Sequence, residues 1–439
     1  MDRKIGIGLL GCGVVGTGTL TILKENAQSL ERRLGAPISV RRVVARDRDK
    51  ARDAVVPRDV LSFDPASVLD DPSVDVVVEL AGGLEPAGEF VRTALERGKS
   101  VVTANKFLLA ERGHELFGLA EKNGVDLYFE AAVCGGIPVI RVLREALASD
   151  TVLGLRGIVN GTSNFILTKM QEESLDYADA LRLAQEAGYA EADPSLDVNG
   201  GDATHKLTIL ATLAFGAKIV PSQISTEGIE ALTALDMKTA ARFGYVVKLL
   251  ATARALGPGA PLDLRVHPTL VRRSSVLASI GGALNAVYLE GQRLGPCLLT
   301  GYGAGAMPTA MSVVSDIVDV GRNLLTGAAG RVPQRAVAAE HLVTRDIQPL
   351  SEHVGRYYLR VPILDRRGTL ARIVGVLGAF DVPIEHMLQE ARAPGSQEPV
   401  NVIVFTHACR DGSIRSALGE IHRLSGIAAP ASAIHVDDA

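Results

Sequence analysis

The stretch from Glu191 to Lys206 carries the densest chemistry in the chain. It holds Glu191, Asp193, Asp197, Asp202 and Lys206 beside Pro194 and the Gly200-Gly201 pair. Asp-Pro at one end and Gly-Gly at the other read as an ordered loop that launches a helix. That helix, expected over 202–215, is apolar on nearly every side after its first turn. A helix of that kind is buried, so charges at its mouth are partly desolvated. Asp202 and Lys206 stand four residues apart, on one face. Alone, such a pair is an ordinary surface salt bridge worth about 0.3–0.5 kcal/mol. At the entrance of a buried helix, behind a glycine-flanked acidic loop, it reads as a polar site.

The elements that must position this site begin at the N-terminus. Lys4 to Leu10 is apolar enough for a parallel strand covered on both faces. Gly11-Cys12-Gly13-Val14-Val15-Gly16 follows, and then a stretch readable as a helix over 17–30. G-x-G-x-x-G between a strand and a helix is a dinucleotide-binding signature. Its glycines allow a tight turn, close approach of backbone to a pyrophosphate, and close helix–strand packing. The helix N-terminus offers unpaired amides to the phosphates. Gly11, Gly13, Val14, Val15 and Gly16 are therefore candidate cofactor contacts. The second strand, 38–45, ends in Arg46, which suits a 2′-phosphate and so NADP, while the adjacent Asp47 keeps NAD open.

Two further strands, 74–79 and 100–103, end in the polar tips Leu80-Ala-Gly-Gly83 and Thr103-Ala-Asn-Lys106. Strand ends of open α/β sheets face the ligand crevice. Lys106 is thus a candidate site residue, the alternative being a solvated lysine at a helix start. The strand 126–130 leads into Ala131-Ala-Val-Cys134-Gly135-Gly136-Ile137-Pro138, where the glycine pair implies unusual backbone geometry. Cys134 invites a nucleophile reading. Against it, no histidine is placed to activate the thiol, and inert buried cysteine is commoner.

From Thr151 the texture changes to an α+β unit, with a strand at 154–159, the polar loop Asn160-Gly-Thr-Ser-Asn164 and helices at 165–170 and 177–188. Gly301-Tyr-Gly-Ala-Gly305-Ala-Met-Pro-Thr309 is a second glycine loop entering a helix, able to return the chain to the first domain. A linker is expected over 326–352. Beyond it the order strand, helix, strand, strand, helix, strand is ferredoxin-like βαββαβ. The domain reading is 1–150 (with 301–325 returning to it) for the dinucleotide, 151–300 for substrate and dimerisation, and 353–439 for a C-terminal module. The fold class is α/β with an N-terminal Rossmann-type parallel sheet.

At 439 residues two to four domains are expected. A net charge of −4, no tryptophan and few aromatics argue against nucleic acid as a partner. The four cysteines form no C-x-x-C and read as reduced residues of a cytoplasmic protein. No apolar run reaches the length of about 18 residues needed to cross a bilayer. Arg3-Lys4 before an apolar stretch mimics a signal peptide, but the glycine spacing reads better as a strand entering a nucleotide loop.

With these residues assembled, the chain resembles homoserine dehydrogenase of the monofunctional type with a C-terminal ACT domain. The resemblance rests on Gly11–Gly16, Thr103-Ala-Asn-Lys106, Asn160-Gly-Thr-Ser-Asn164 with Phe165-Ile-Leu, and above all Glu191–Lys206, and it spans essentially the whole length. It implies NAD(P)-dependent interconversion of L-homoserine and L-aspartate 4-semialdehyde by hydride transfer, on the route to threonine and methionine. It implies Lys206 as proton donor and acceptor, Lys106 between nicotinamide and substrate, and Asp202 orienting substrate and Lys206. Glu191 and Asp197 become substrate-binding residues, with Glu191 on the homoserine ammonium. Thr103, Lys106, Arg46 and Gly305 join the cofactor contacts. Glu130, Val133, Gly135 and Ile137 line a monovalent cation site (Na+ or K+), largely through carbonyl oxygens. Threonine is the implied effector at the ACT domain, around Asp365–Leu370, and a homodimer or homotetramer the implied assembly.

The physical chemistry agrees. Oxidising an alcohol requires its proton to leave, so a base must stand within hydrogen-bond reach. Burial and a second ammonium lower a lysine's pKa while Asp202 raises it, and a protonated lysine is already the right acid for reduction. Two other readings stay open: an aldehyde dehydrogenase acylated at Cys134, and a metabolite sensor that binds dinucleotide and amino acid without turnover.

Overall fold

The computed structural model describes residues 3–49, 53–364, 366–390 and 398–437. They fall into two compact units, the first made of Met1–Gly161, Asp202–Ile224 and Leu284–Arg345, the second of Thr162–Gly201, Ser225–Ala283 and Asp346–Ala439. The strands in chain order begin with β1 (Ile5–Leu10), β2 (Ile38–Val44), β3 (Leu61–Ser62), β4 (Val76–Glu79), β5 (Ser100–Thr103) and β6 (Leu127–Tyr128). Next come β7 (Val152–Ile158), β8 (Ser225–Thr226), β9 (Tyr245–Ala255), β10 (Leu262–Arg272), β11 (Leu284–Gly291) and β12 (Gly295–Tyr302). The C-terminal set is β13 (Val354–Ile363), β14 (Ile384–Gln389), β15 (Val400–Thr406), β16 (Cys409–Arg410) and β17 (Ser432–Asp437).

In the first unit β1–β6 form an all-parallel sheet of order β3-β2-β1-β4-β5-β6. This is the doubly wound Rossmann order, in which the direction of strand addition reverses beside β1 and opens a crevice at the carboxyl ends. The sequence dictates the sheet through continuous apolar runs. Every residue of β1 and β4 is buried, as expected for strands covered on both faces. Ile5, Ile7, Leu9, Val76 and Val78 share one core with Ala310, Val313 and Ile317 of the helix Ala306–Thr326. That helix lies against the helix Val14–Glu25 so closely that a Cβ on Gly18 would sit 3.1 Å from both the Ala306 carbonyl and the Ala310 Cβ. The antiparallel strands β12-β11-β7 complete this unit's sheet structure.

In the second unit β9 and β10 form a long antiparallel pair, and β10 continues through β17 into the order β17-β13-β15-β14. The last four strands with the helices Thr369–Ala379 and Asp411–Ile421 have the ferredoxin-like order 4-1-3-2.

Several local expectations shift. The helix expected over 17–30 is two helices, Val14–Glu25 and Ala27–Leu34, parted at Asn26, whose backbone (φ −102, ψ 13) leaves the helical range while its N–H still closes on Ile22. The polar loop 160–164 is mostly helical, because the helix Gly161–Glu173 starts at its second residue. The strand expected over 126–130 shortens to β6, and Glu130–Ala132 is a 3-10 turn.

A buried cluster of imidazoles seams β10 to β17. Arg265 Nη1 donates to Nε2 of His267 at 3.1 Å and of His353 at 2.9 Å. The His435 ring stacks on His267 with centroids 3.8 Å apart, and Tyr357 lies 4.7 Å from His435. Asp263 pairs with Arg265 at 2.7 Å and faces His353 Nδ1 at 3.4 Å. An accepting nitrogen carries no proton. Burial first, then Arg265, holds His267 well below the ordinary histidine range, and burial, His267 and Arg265 do the same to His435. The unfolded chain therefore takes up protons below pH ~6.5 that the folded chain excludes, so stability present above that pH is lost on acidification. The unfolding midpoint in urea should fall as the pH drops below ~6.5, and His435→Phe should make that fall shallower. An unchanged slope in the variant would remove this seam as its source.

Candidate active site

Each glycine of the first loop has its own geometry. Gly11 has φ +109, and a Cβ there would lie 2.5 Å from the Leu80 carbonyl carbon. A Cβ on Gly16 would lie 2.5 Å from the Gly11 carbonyl oxygen, so both positions are closed by the protein's own backbone. Gly13, which precedes the helix Val14–Glu25, faces open space: a Cβ there would meet no heavy atom within 4 Å. Val14 beside it is 71 % exposed. The helix's first-turn amides, Val14, Val15 and Gly16 among them, have no partners of their own in the helix ladder and point toward this opening. The loop thus fits a pyrophosphate at Gly13 and packs tightly at Gly11 and Gly16.

Beyond β2, Arg46 and Asp47 are exposed, and Asp47 accepts the Asp49 N–H at 2.9 Å. Arg48, stacked 5.2 Å from the Phe63 ring centroid, is a second exposed cation on this loop that the motif does not mark. Gly305 precedes the helix Ala306–Thr326 with φ +117, a conformation that side chains resist.

Thr103 spends its hydroxyl inside the protein, donating at 2.6 Å to Glu79. Glu79 is fully buried and also accepts the N–H groups of Ala81 and Gly82 at 2.8 and 3.0 Å. The Thr103–Glu79 pair therefore shapes the glycine turn after β4. Asn105 ties that turn to the next helix, donating to the Gly83 carbonyl at 2.7 Å and capping Leu108 N–H at 3.1 Å. This places Lys106 at the first position of the helix Lys106–Asn123.

Lys106, Asp202 and Lys206 come together. Asp202 lies in the first turn and Lys206 in the second turn of the helix Gly201–Phe215, and both are buried. Asp202 Oδ2 accepts from Lys206 Nζ at 2.7 Å and from Asn160 Nδ2 at 2.8 Å, and Oδ1 meets Lys106 Nζ at 3.0 Å. Lys206 Nζ also donates to the Val159 carbonyl at 2.6 Å. Burial alone would raise the Asp202 carboxyl, but Lys206, Lys106 and the Asn160 hydrogen bond together hold it far below the usual carboxylate range. Asp202 is therefore a fixed anion that aligns two ammonium groups. Lys106 remains partly exposed, with 38 % of its side-chain surface open, whereas Lys206 is enclosed. Asn160 and the Val159 carbonyl are the functional groups that residue spacing alone did not mark.

The turn after β6 is oxygen-rich. Cys134 and Gly135 take positive φ values of 54 and 38, curling the backbone. Glu130 accepts the N–H groups of Ile140 and Arg141 at 2.8 and 2.9 Å, and the Gly135 carbonyl accepts from Ser312 at 2.7 Å. The Ile137 carbonyl accepts the Val139 N–H at 2.8 Å, while Val133 donates its N–H to Glu130 O at 3.4 Å. Cys134 is buried, and burial pushes its thiol up despite nearby Lys206, the opposite of an activated nucleophile. Glu191 and Asp197 belong to the second unit. Glu191 is exposed on the loop before the turn Ser195–Val198, and the Asp197 carbonyl accepts from Ser163 at 2.7 Å.

Comparison with known proteins gives this geometry a context. The homoserine dehydrogenase family model matches residues 138–318, and the model of the homoserine dehydrogenase NAD binding domain matches residues 11–130. A homoserine dehydrogenase from Neisseria gonorrhoeae is 43 % identical over 435 residues, covering 99 % of both chains. The crystal structure of a homoserine dehydrogenase from Thiobacillus denitrificans superposes with a TM-score of 0.93 at 43 % identity, covering 99 % of each chain. A hyperthermophilic archaeal homoserine dehydrogenase in complex with NADPH matches with a TM-score of 0.62 at 29 % identity, over 72 % of this chain and 98 % of that one.

The open space at Gly13 makes a separable prediction. Gly13→Ala should fold with a near-native melting temperature yet bind NADPH at least about tenfold more weakly in a fluorescence titration, since a methyl would occupy the pyrophosphate position. Gly16→Ala should lose stability instead. Native NADPH affinity in Gly13→Ala would show that the opening does not receive the cofactor.

Proposed function

Because the chain belongs to the homoserine dehydrogenase family, we propose that its site interconverts L-homoserine and L-aspartate 4-semialdehyde with Lys206 moving the proton. The observation that carries this reading is the buried Asp202 carboxylate holding the Lys106 and Lys206 ammonium groups 3.0 and 2.7 Å from its two oxygens. A nicotinamide dinucleotide bound at the Gly11–Gly16 loop supplies the hydride chemistry. The residues of the chain handle everything else. Lys206 donates a proton to the aldehyde oxygen in reduction and takes it from the homoserine hydroxyl in oxidation. Asp202 keeps Lys206 aimed, and its fixed charge costs no reorganisation as the proton moves. Lys106 steadies developing charge on the same oxygen. Glu191 holds the substrate ammonium, supported by its charge and exposure, and Asp197 assists it.

The Arg46 and Arg48 side chains after β2 support NADP as a cofactor, with NAD also accepted. The turn at 130–137 fits a monovalent cation, because its donors are oxygens and its backbone is curled by Cys134 and Gly135. The carbonyls of Glu130, Val133, Gly135 and Ile137 would hold it. The reaction serves threonine and methionine synthesis in the cytoplasm, and the chain works as a homodimer or homotetramer. Among the described residues no helix is long and apolar enough to cross a membrane.

Lys206→Ala should bind NADPH normally and lose at least about a hundredfold in turnover of aspartate semialdehyde, the usual scale of a positioned acid. In the wild type, homoserine oxidation should accelerate from neutral pH toward pH ~10, because it needs the unprotonated amine, which a lysine of ordinary pKa ~10.4 holds only sparsely at neutrality. Unchanged turnover in the variant would take Lys206 out of the mechanism.

The βαββαβ module supports an ACT-type regulatory role, with threonine as effector. Of the segment around Asp365–Leu370, Asp365 lies outside the described residues, and Gly368 precedes the helix Thr369–Ala379 with φ +79. Because β17 pairs with β10, deleting the module would expose the edge of the long β9–β10 pair, so a point substitution is the cleaner test. Threonine should inhibit the wild type, and Asp365→Ala should raise the half-inhibiting concentration about tenfold with homoserine KM unchanged. Equal inhibition of both proteins would place the effector elsewhere.

A further inference from the structure

Lys248 lies in the middle of β9, paired across the ladder with Thr269, and is 5 % exposed. Its ammonium donates to the Ile280 carbonyl at 2.6 Å and to Asn164 Oδ1 at 3.1 Å. Among the described residues no carboxylate forms an ion pair with it. Burial pushes its pKa down to about 8, with only Glu172 opposing. A methionine of similar length would fill the same space without desolvating a charge. What the ammonium adds is a connection.

The connection runs to the acidic loop. Asn164 is 1 % exposed and returns the bond by donating from Nδ2 to the Ile280 carbonyl at 3.1 Å. One turn on, Thr168 donates to the Asn164 carbonyl at 2.7 Å and accepts the Gly282 N–H at 3.1 Å, so the 280–282 turn is tied to the helix Gly161–Glu173 twice. The residues just before Asn164 face the other way. Thr162 donates to the Tyr189 carbonyl at 2.7 Å and Ser163 to the Asp197 carbonyl at 2.7 Å. Tyr189 precedes Glu191 and Asp197 sits in the turn Ser195–Val198 after it, so the two bonds flank the loop that carries Glu191, and Phe165 packs on Tyr189 at a tilt with centroids 4.7 Å apart.

We propose that Lys248 is a positioning residue for the amino-acid end of the substrate: its ammonium locks Asn164 and the 280–282 turn, and thereby fixes the first helical turn whose Thr162 and Ser163 hydroxyls hold both ends of the Glu191 loop. This rests on the reading of Glu191 as the group that holds the substrate ammonium. The chain of hydrogen bonds lies wholly within the second compact unit. Its effect is therefore expected in substrate binding rather than in the proton-transfer step.

Steady-state kinetics of the full-length Lys248→Met, Glu191→Gln and double variants test it. Lys248→Met should raise KM for homoserine about tenfold while kcat and KM for NADP stay within about twofold, the loss expected from one charged hydrogen-bonded anchor. Because Lys248 acts through the Glu191 loop, adding Lys248→Met to Glu191→Gln should raise KM no further. Additive effects, or a fall in kcat equal to that in kcat/KM, would overturn the inference in favour of a general structural role. A raised KM in Glu191→Gln beside an unchanged one in Lys248→Met would overturn it alone, while native KM in Glu191→Gln would overturn the underlying reading as well. Should Lys248→Met fail to fold, Thr162→Ala and Ser163→Ala replace it, each removing one hydroxyl from a loop end. Native homoserine KM in both would equally overturn the proposal.

Discussion

A buried carboxylate between two ammonium groups is the interaction on which the rest of the site depends. Asp202 in an apolar interior would be protonated if it stood alone, and Lys206 there would be under pressure to shed its proton. Placed 2.7 Å apart, with Asn160 and the Val159 carbonyl taking up further hydrogen bonds, both charges are tolerated. Removing one partner of such a pair costs about 3–5 kcal/mol, because the other charge is left uncompensated. The same arrangement leaves a lysine buried, charged and oriented, which is what proton delivery to a substrate oxygen requires.

Everything around this pair has the character of a mount. The helix Gly201–Phe215 holds Asp202 and Lys206 four residues apart on one face, and its apolar body fixes it in the core. Asn105 caps the helix Lys106–Asn123 and ties it to the turn after β4, so Lys106 starts from a fixed backbone. Glu79 is a second buried carboxylate, and among the described residues it pairs with no cation. It is satisfied by two turn amides and the Thr103 hydroxyl and shapes the sheet's carboxyl edge. Two buried acids thus do different work, decided by what surrounds them.

The second unit treats charge in the same way. Arg265 is surrounded by imidazoles that accept from it, and Lys248 by carbonyl and amide oxygens. In both places a buried cation joins segments far apart in sequence, and neither is visible as a motif, because no spacing rule links residue 164 to 248 or 265 to 353.

Patterns set by near neighbours were legible in the chain alone. Continuous apolar runs specify parallel strands, since both faces of each strand are covered, and the Gly11–Gly16 spacing specifies a phosphate turn, since only glycine permits its backbone. The Asp202–Lys206 pair could be read from the helical repeat, which puts residues four apart on one face. Helix limits were less secure: the backbone leaves helical angles at Asn26, and the helix Gly161–Glu173 starts inside the polar loop. Only the tertiary structure decided which groups meet across long separations. It brought Lys106 and Asn160 to Asp202, spent the Thr103 hydroxyl on Glu79, buried Cys134 beyond reach of activation, and seated β17 against β10. The reason is physical: side-chain periodicity is a local property of the backbone, whereas the cost of burying a charge is settled by partners that arrive only when distant elements pack.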